Sequence, residues 1–110
     1  QIKCSGYRIS SSEVEEAAAL VPGLRHAAAF GLADEQSGES VNLAYSTHNG
    51  EELNGKVLTH SLNRILPSYA VPRRIRFYPH IPLTTTGKIN YAALKRDFEE
   101  SSEQKNPMPQ

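Results

Sequence analysis

A chain of 110 residues suits one small domain with one modest core, and its twelve basic side chains balance twelve acidic ones. That balance removes any global electrostatic drive toward nucleic acid or an anionic membrane and leaves only local basic patches to consider. The single cysteine, Cys4, excludes an internal disulfide and a cysteine-built metal site, which fits a reducing, cytoplasmic setting, and apolar runs such as Ala27–Phe30 are too short to span a bilayer.

The chain opens on "QIKCSGYRIS", which reads as extended structure from residue 2 and suggests a piece of a longer protein. Ile2–Cys4 and Tyr7–Ile9 flank Ser5-Gly6 and predict a short two-stranded ribbon. Ser10-Ser11-Ser12-Glu13 matches a capping box, followed by a helix to about Leu20 with Val14, Ala17, Ala18 and Val21 as its apolar stripe. Pro22-Gly23 ends it. "LRHAAAFGLAD" is expected to be a strand, because its length and flanking turn residues outweigh the helical preference of its alanines. A polar loop, "DEQSGES", leads to a second strand, "VNLAYSTH", and Asn49-Gly50 marks a turn.

Leu53, Val57, Leu58, Leu62, Ile65 and Leu66 fall at helical spacing, and Pro67 stops that helix. Residues Leu66 to Pro72 look structural, with Tyr69 expected in the core. "RRIRFYPH" predicts a third strand with Ile75 and Phe77 on one face, and Tyr91, Leu94 and Phe98 predict a last helix to about Glu99. The expected fold is α+β: a small three-stranded sheet with packed helices, plus the N-terminal ribbon. Residues 1–99 form the domain in this reading, and 100–110, polar with two prolines, form a disordered tail.

One stretch needs a chemical reading: "PLTTTGKINYAALK", Pro82–Lys95. It is not a phosphate-cradling P-loop, because Pro82 stands where the first glycine is required and Ile89 where a Ser or Thr must follow the lysine. His26, His48, His60 and His80 are scattered without ligand spacing, so no metal is expected. "PRRIR" sets Arg73, Arg74 and Arg76 close together, either as a contact for an anionic ligand or as a solvated strand edge that discourages aggregation.

"QIKCSGYRISSSEVE", "LPSYAVP" and "PLTTTGKI", in this order and spacing, resemble the last three core motifs of the adenylate-forming enzymes. Those are the acyl-CoA synthetases, the adenylation domains of nonribosomal peptide synthetases, and luciferase. The resemblance covers residues 1 to about 98 and points to the small, mobile C-terminal subdomain of such an enzyme, most like an AMP-forming acyl-CoA ligase. It implies a two-step reaction. A carboxylate attacks the α-phosphate of ATP to give an acyl-adenylate and pyrophosphate, and a thiol of coenzyme A or a carrier protein's phosphopantetheine then displaces AMP.

The resemblance makes Lys88 the catalytic lysine of the first step, on a loop formed by Thr84, Thr85, Thr86 and Gly87. A compact ammonium on a long stem suits the holding of two anions together. By the same resemblance Gly6 lies against the pantetheine arm in the second step and Arg8 contacts the nucleotide phosphate. Arg73, Arg74 and Arg76 become possible contacts for coenzyme A or a carrier protein. ATP, magnesium and coenzyme A would be bound mainly by a large N-terminal subdomain, the chief partner, and the small body alone would be inert. The sequence departs from the family pattern at Asn90-Tyr91, where an acidic residue and arginine are common, and at Ser11, where proline is. Two alternatives stay open: an adenylation-domain fragment that loads a carrier protein, and a non-catalytic α+β binding module.

Overall fold

Ser5 and Gly6 have φ of 53° and 85°. Two successive positive values are what a two-residue hairpin needs to match the right-handed twist of its strands. They join β1, Ile2–Cys4, to β2, Tyr7–Ile9, with Lys3 opposite Arg8 and Ile2 opposite Ile9. The computed structural model describes residues 1–105, so residues 106–110 of the expected tail lie outside the described residues.

Helix α1, Ser11–Ala19, is capped by Ser10, whose Oγ accepts from the Glu13 N–H at 3.3 Å, the first half of the predicted box. Next, β3, Leu24–Asp34, and β4, Gly38–Thr47, form a long antiparallel hairpin. Helix α2, Gly55–Ile65, is capped by Asn54, whose Oδ1 accepts from the N–H groups of Lys56 and Val57. A 3₁₀ turn, Ser68–Ala70, then leads into β5, Arg74–Phe77, and the last element is α3, Tyr91–Lys105.

The expected two-stranded ribbon is present, and it is continuous with the three further strands. All five strands share one sheet, ordered β2-β1-β4-β3, with β5 also on β4. The outer edge of β4 is divided. Cys4 pairs with Gly38 at its start, and β5 runs parallel to it from Asn42↔Arg74 to Tyr45↔Phe77. The second strand therefore begins within the supposed polar loop, because Gly38 has a partner that lies far away in sequence.

The sheet is covered on both faces. Ala29, Val41, Leu43 and Tyr45 meet Val14, Ala17 and Ala18 of α1 and Leu58 and Leu62 of α2. Ala28, Phe30, Leu32 and Ala44 meet Ile81 and, from α3, Leu94 and Phe98. Burial on both sides explains why "LRHAAAFGLAD" is a strand: small side chains on alternate faces let helices approach from above and below. Val57 and Ile65, expected in the stripe of α2, are instead exposed, and Leu58 and Leu62 form its seam. Helix α3 also runs past the expected end at Glu99 to Lys105, into the segment expected to be disordered.

Candidate functional site: two hairpin tips on one body

The lysine sits at a tight hairpin. Leu83 and Ile89 form an isolated antiparallel bridge, Thr84 N–H donates to the Lys88 carbonyl at 2.6 Å, and Asn90 N–H donates to the Pro82 carbonyl at 2.9 Å. Gly87 N–H closes the turn on the Thr84 carbonyl at 2.9 Å, with a φ of 89° that explains the glycine. Thr84 Oγ1 accepts from Lys88 N–H at 3.2 Å and shares a hydrogen bond with Thr86 Oγ1 at 3.0 Å. The threonines thus order the loop by local bonding.

Lys88 itself is exposed, and among the described residues its amine has neither a hydrogen bond nor an ion pair. The hairpin is a stiff mount with its charge facing outward.

The second tip is the Ser5-Gly6 turn. Lys3, Gly6, Arg8, Ser37 and Gly38 line a shallow cleft of about 430 Å³ beside it. Ser5 N–H donates to the Ser37 carbonyl at 2.7 Å, which fixes the turn against the β3–β4 connection. Nothing lies within 4 Å of where a Cβ on Gly6 would stand, so within this chain the glycine answers to its φ and not to crowding. Arg8 is exposed, and its place opposite Lys3 puts two cations across the ribbon.

Sequence reasoning placed Tyr69 in the core. The structure leaves it 42% exposed and stacks it on Tyr7, with ring centroids 3.9 Å apart and planes 5° from parallel. It braces the ribbon from outside, since Tyr7 directly follows Gly6.

The arginine strip is spent largely within the fold. Arg74 donates to the Phe98 carbonyl at 3.2 Å and lies over the Phe98 ring at 5.2 Å. Arg76 donates to Ser101 Oγ at 2.7 Å and lies over the Tyr78 ring at 5.2 Å. Both clamp α3 onto β5, a role between the two weighed from sequence. Burial pushes the Tyr78 phenol up to about 12, and its hydroxyl donates to Asp97 at 3.1 Å, another tie to α3.

Arg73 pairs with Asp34 at 3.0 Å in a part-exposed ion pair, and all three arginines line one cleft of about 440 Å³ with Phe98 and Ser101. The Asp34 carboxyl is held below its ordinary range by hydrogen bonds from the Ser37 hydroxyl and N–H, with Arg73 adding less. A depressed carboxyl stabilises the fold above its unfolded pKa and loses that contribution as pH falls through the folded value. Asp34→Asn should therefore lower stability near neutral pH, and its difference from the parent should shrink as pH falls below the ordinary carboxylate range, as read by denaturant melts across that range.

No group of three His, Cys, Asp or Glu comes together among the described residues. Residues 13–88 match a family model described as the AMP-binding enzyme C-terminal domain. The chain belongs to that family.

Relatives of this AMP-binding C-terminal domain include oxalate–CoA ligase of Saccharomyces cerevisiae, 30% identical over 97% of this chain and 20% of that protein. Surfactin synthase subunit 3 of Bacillus subtilis is 33% identical over 94% of this chain and 8% of its own length. Among solved structures, an acyl-CoA synthetase of Brucella canis superposes with a TM-score of 0.79 at 32% identity, covering 92% of this chain and 19% of that one. The AMP-binding C-terminal domain thus spans a fifth or less of the length of these relatives.

Proposed function

We propose that this AMP-binding C-terminal domain is the mobile small body of an ATP-dependent, AMP-forming acyl-CoA ligase, and that its two hairpin tips serve the two half-reactions in turn. The observation that carries this reading is Lys88: an exposed amine, without a partner among the described residues, on a hairpin ordered down to its hydroxyls. Such a group is of little use to its own fold and well suited to another body's reaction centre.

In the first half-reaction a carboxylate oxygen attacks the α-phosphorus of ATP and the bond to pyrophosphate breaks. Negative charge gathers where two anions are pressed together, and the Lys88 ammonium, placed between them, stabilises that arrangement and fixes its geometry. Thr84 holds the lysine's backbone at both its N–H and its carbonyl, and Thr86 and Gly87 close the turn on Thr84. In the second half-reaction a thiol attacks the acyl carbonyl and AMP departs. Gly6 then lies along the pantetheine arm, and Arg8 offers forked donors to the nucleotide phosphate.

ATP, its magnesium, the carboxylic acid and coenzyme A would be bound mainly by a large N-terminal subdomain, to which this body must be joined. Arg73, with its exposed side chain, remains a possible contact for coenzyme A or a carrier protein. Arg74 and Arg76 are less free for such a role. No helix among the described residues is long and apolar enough to cross a membrane, and a cytoplasmic setting belongs to the same proposal. Loading of a carrier protein in place of coenzyme A is the second reading, and the likeness to a surfactin synthase subunit supports it.

The test uses the full-length enzyme with ATP and a panel of carboxylic acids. Acid-dependent pyrophosphate exchange is expected, followed by AMP release that requires a thiol acceptor. Release of ADP and phosphate, or no exchange with any acid, would overturn the reading.

A further inference from the structure

Glu15 was not singled out in the sequence, where it looks like one more charge on the solvated side of α1. In the structure its Oε2 accepts two hydrogen bonds. One comes from the Ala29 N–H at 2.9 Å, on the outer edge of β3, the last strand of the sheet. The other comes from the hydroxyl of Tyr91, the first residue of α3. A single carboxylate oxygen therefore ties α1, the sheet edge and the start of α3 together.

Tyr91 lies three positions after Lys88, and Asn90 between them is held through its N–H, its carbonyl and its side chain. Asn90 N–H closes the hairpin on Pro82, while the Asn90 side chain accepts from Ala93 N–H at 3.1 Å and its carbonyl from Leu94 N–H at 3.2 Å. Hairpin and first helical turn thus form one stiff piece, and whatever fixes that turn against the sheet also fixes where Lys88 points. The ties described farther along α3, at Asp97, Phe98 and Ser101, act one or more turns away. Leu94, buried against the sheet, anchors that turn by packing, and at Tyr91, 38% exposed, the bond to Glu15 adds a directional tie to α1 and the sheet edge. Burial, followed by the Glu15 bond, raises the Tyr91 phenol well above its ordinary value, so it remains a donor across the working range.

We propose that Glu15 and Tyr91 are a positioning pair for the adenylation step, a latch that aims the Lys88 hairpin without touching substrate. This rests on Lys88 serving that step. The latch needs an oxygen acceptor on residue 15 and a hydroxyl on residue 91, and does not need the negative charge.

The experiment compares Tyr91→Phe, Glu15→Gln and Lys88→Ala in the full-length enzyme. Each is assayed for acid-dependent pyrophosphate exchange and, separately, for thioester formation from supplied acyl-adenylate. Tyr91→Phe removes one hydroxyl from a part-exposed ring and leaves the Ala29 bond in place. It should lower kcat for adenylation about three- to tenfold and spare the thioester step, since small misplacements of a positioned group cost rate steeply. Glu15→Gln, whose amide oxygen can accept both bonds, should keep adenylation within about twofold of the parent.

Equal loss of both half-reactions in Tyr91→Phe, together with a lowered melting temperature, would mark a general structural role and overturn the latch. A Glu15→Gln loss as large as that of Tyr91→Phe would also overturn it, since charge and not the bond would then be acting. If Tyr91→Phe matches the parent while Lys88→Ala is inactive in adenylation, the latch fails and the role of Lys88 stands. If Lys88→Ala is itself unaffected, the underlying reading fails.

Discussion

Replacing Lys88 with alanine in the full-length enzyme is expected to slow adenylation about 10²- to 10³-fold, roughly 3–4 kcal/mol of transition-state stabilisation, and to leave thioester formation from supplied acyl-adenylate nearly unchanged. The size follows from what a single preorganised donor is worth where charge develops away from bulk water. The asymmetry follows from geometry, because the lysine and the Ser5-Gly6 turn stand on separate hairpins. Folding should be untouched, since the exposed amine has no partner among the described residues whose loss could destabilise the body. Unchanged melting with a lost first half-reaction is the signature to look for. Equal loss of both half-reactions would count against the role given to Lys88.

The second large effect is on stability. Phe98 is 2% exposed, meets Phe30 edge-on with centroids 4.9 Å apart and planes at 79°, and carries Arg74 over its ring. Phe98→Ala should cost about 3–5 kcal/mol, because it opens a cavity between α3 and the sheet and strips the guanidinium of its aromatic face. A shift of that size is a large part of a small domain's margin and should be plain in thermal or denaturant unfolding. Since α3 holds the stem of the lysine hairpin, the same substitution should weaken adenylation at temperatures below the melt.

Much of the fold is legible in the amino-acid order. Ser10 announces the start of α1, Pro67 follows the end of α2, and the positive-φ pair at Ser5-Gly6 is a turn signal in its own right. What could not be read is long-range. The ribbon joins the sheet through Cys4↔Gly38, a pairing between a strand end and a glycine in a polar run, which no local periodicity encodes. "EESSEQK" lacks an apolar stripe, yet it continues α3, and Arg76 reaches Ser101 from β5 to hold it.

The chemistry divides in the same way. Lys88, Gly6 and Arg8 are visible as motif residues, because the roles proposed for them would impose a pattern on the sequence. Glu15 and Tyr7 act through partners remote in sequence, Ala29 and Tyr91 for one and Tyr69 for the other. Each looks like an ordinary surface residue until the chain is folded. The arginines are the opposite case: from sequence their clustering left a ligand contact and a solvated edge open, and the fold adds bonds of two of them to backbone carbonyls and aromatic rings.

The bonding inside the Thr84–Lys88 hairpin has an entropic consequence. A floppy loop would have to freeze its backbone dihedrals each time it met the nucleotide, at about 1–2 kcal/mol per residue. Here that ordering was completed when the polypeptide folded, and little more than the lysine's own methylene torsions remain to be stilled on arrival. In the reaction proposed for it, each visit of Lys88 to the nucleotide would therefore be brief and reversible, as suits a small body that withdraws before the second half-reaction.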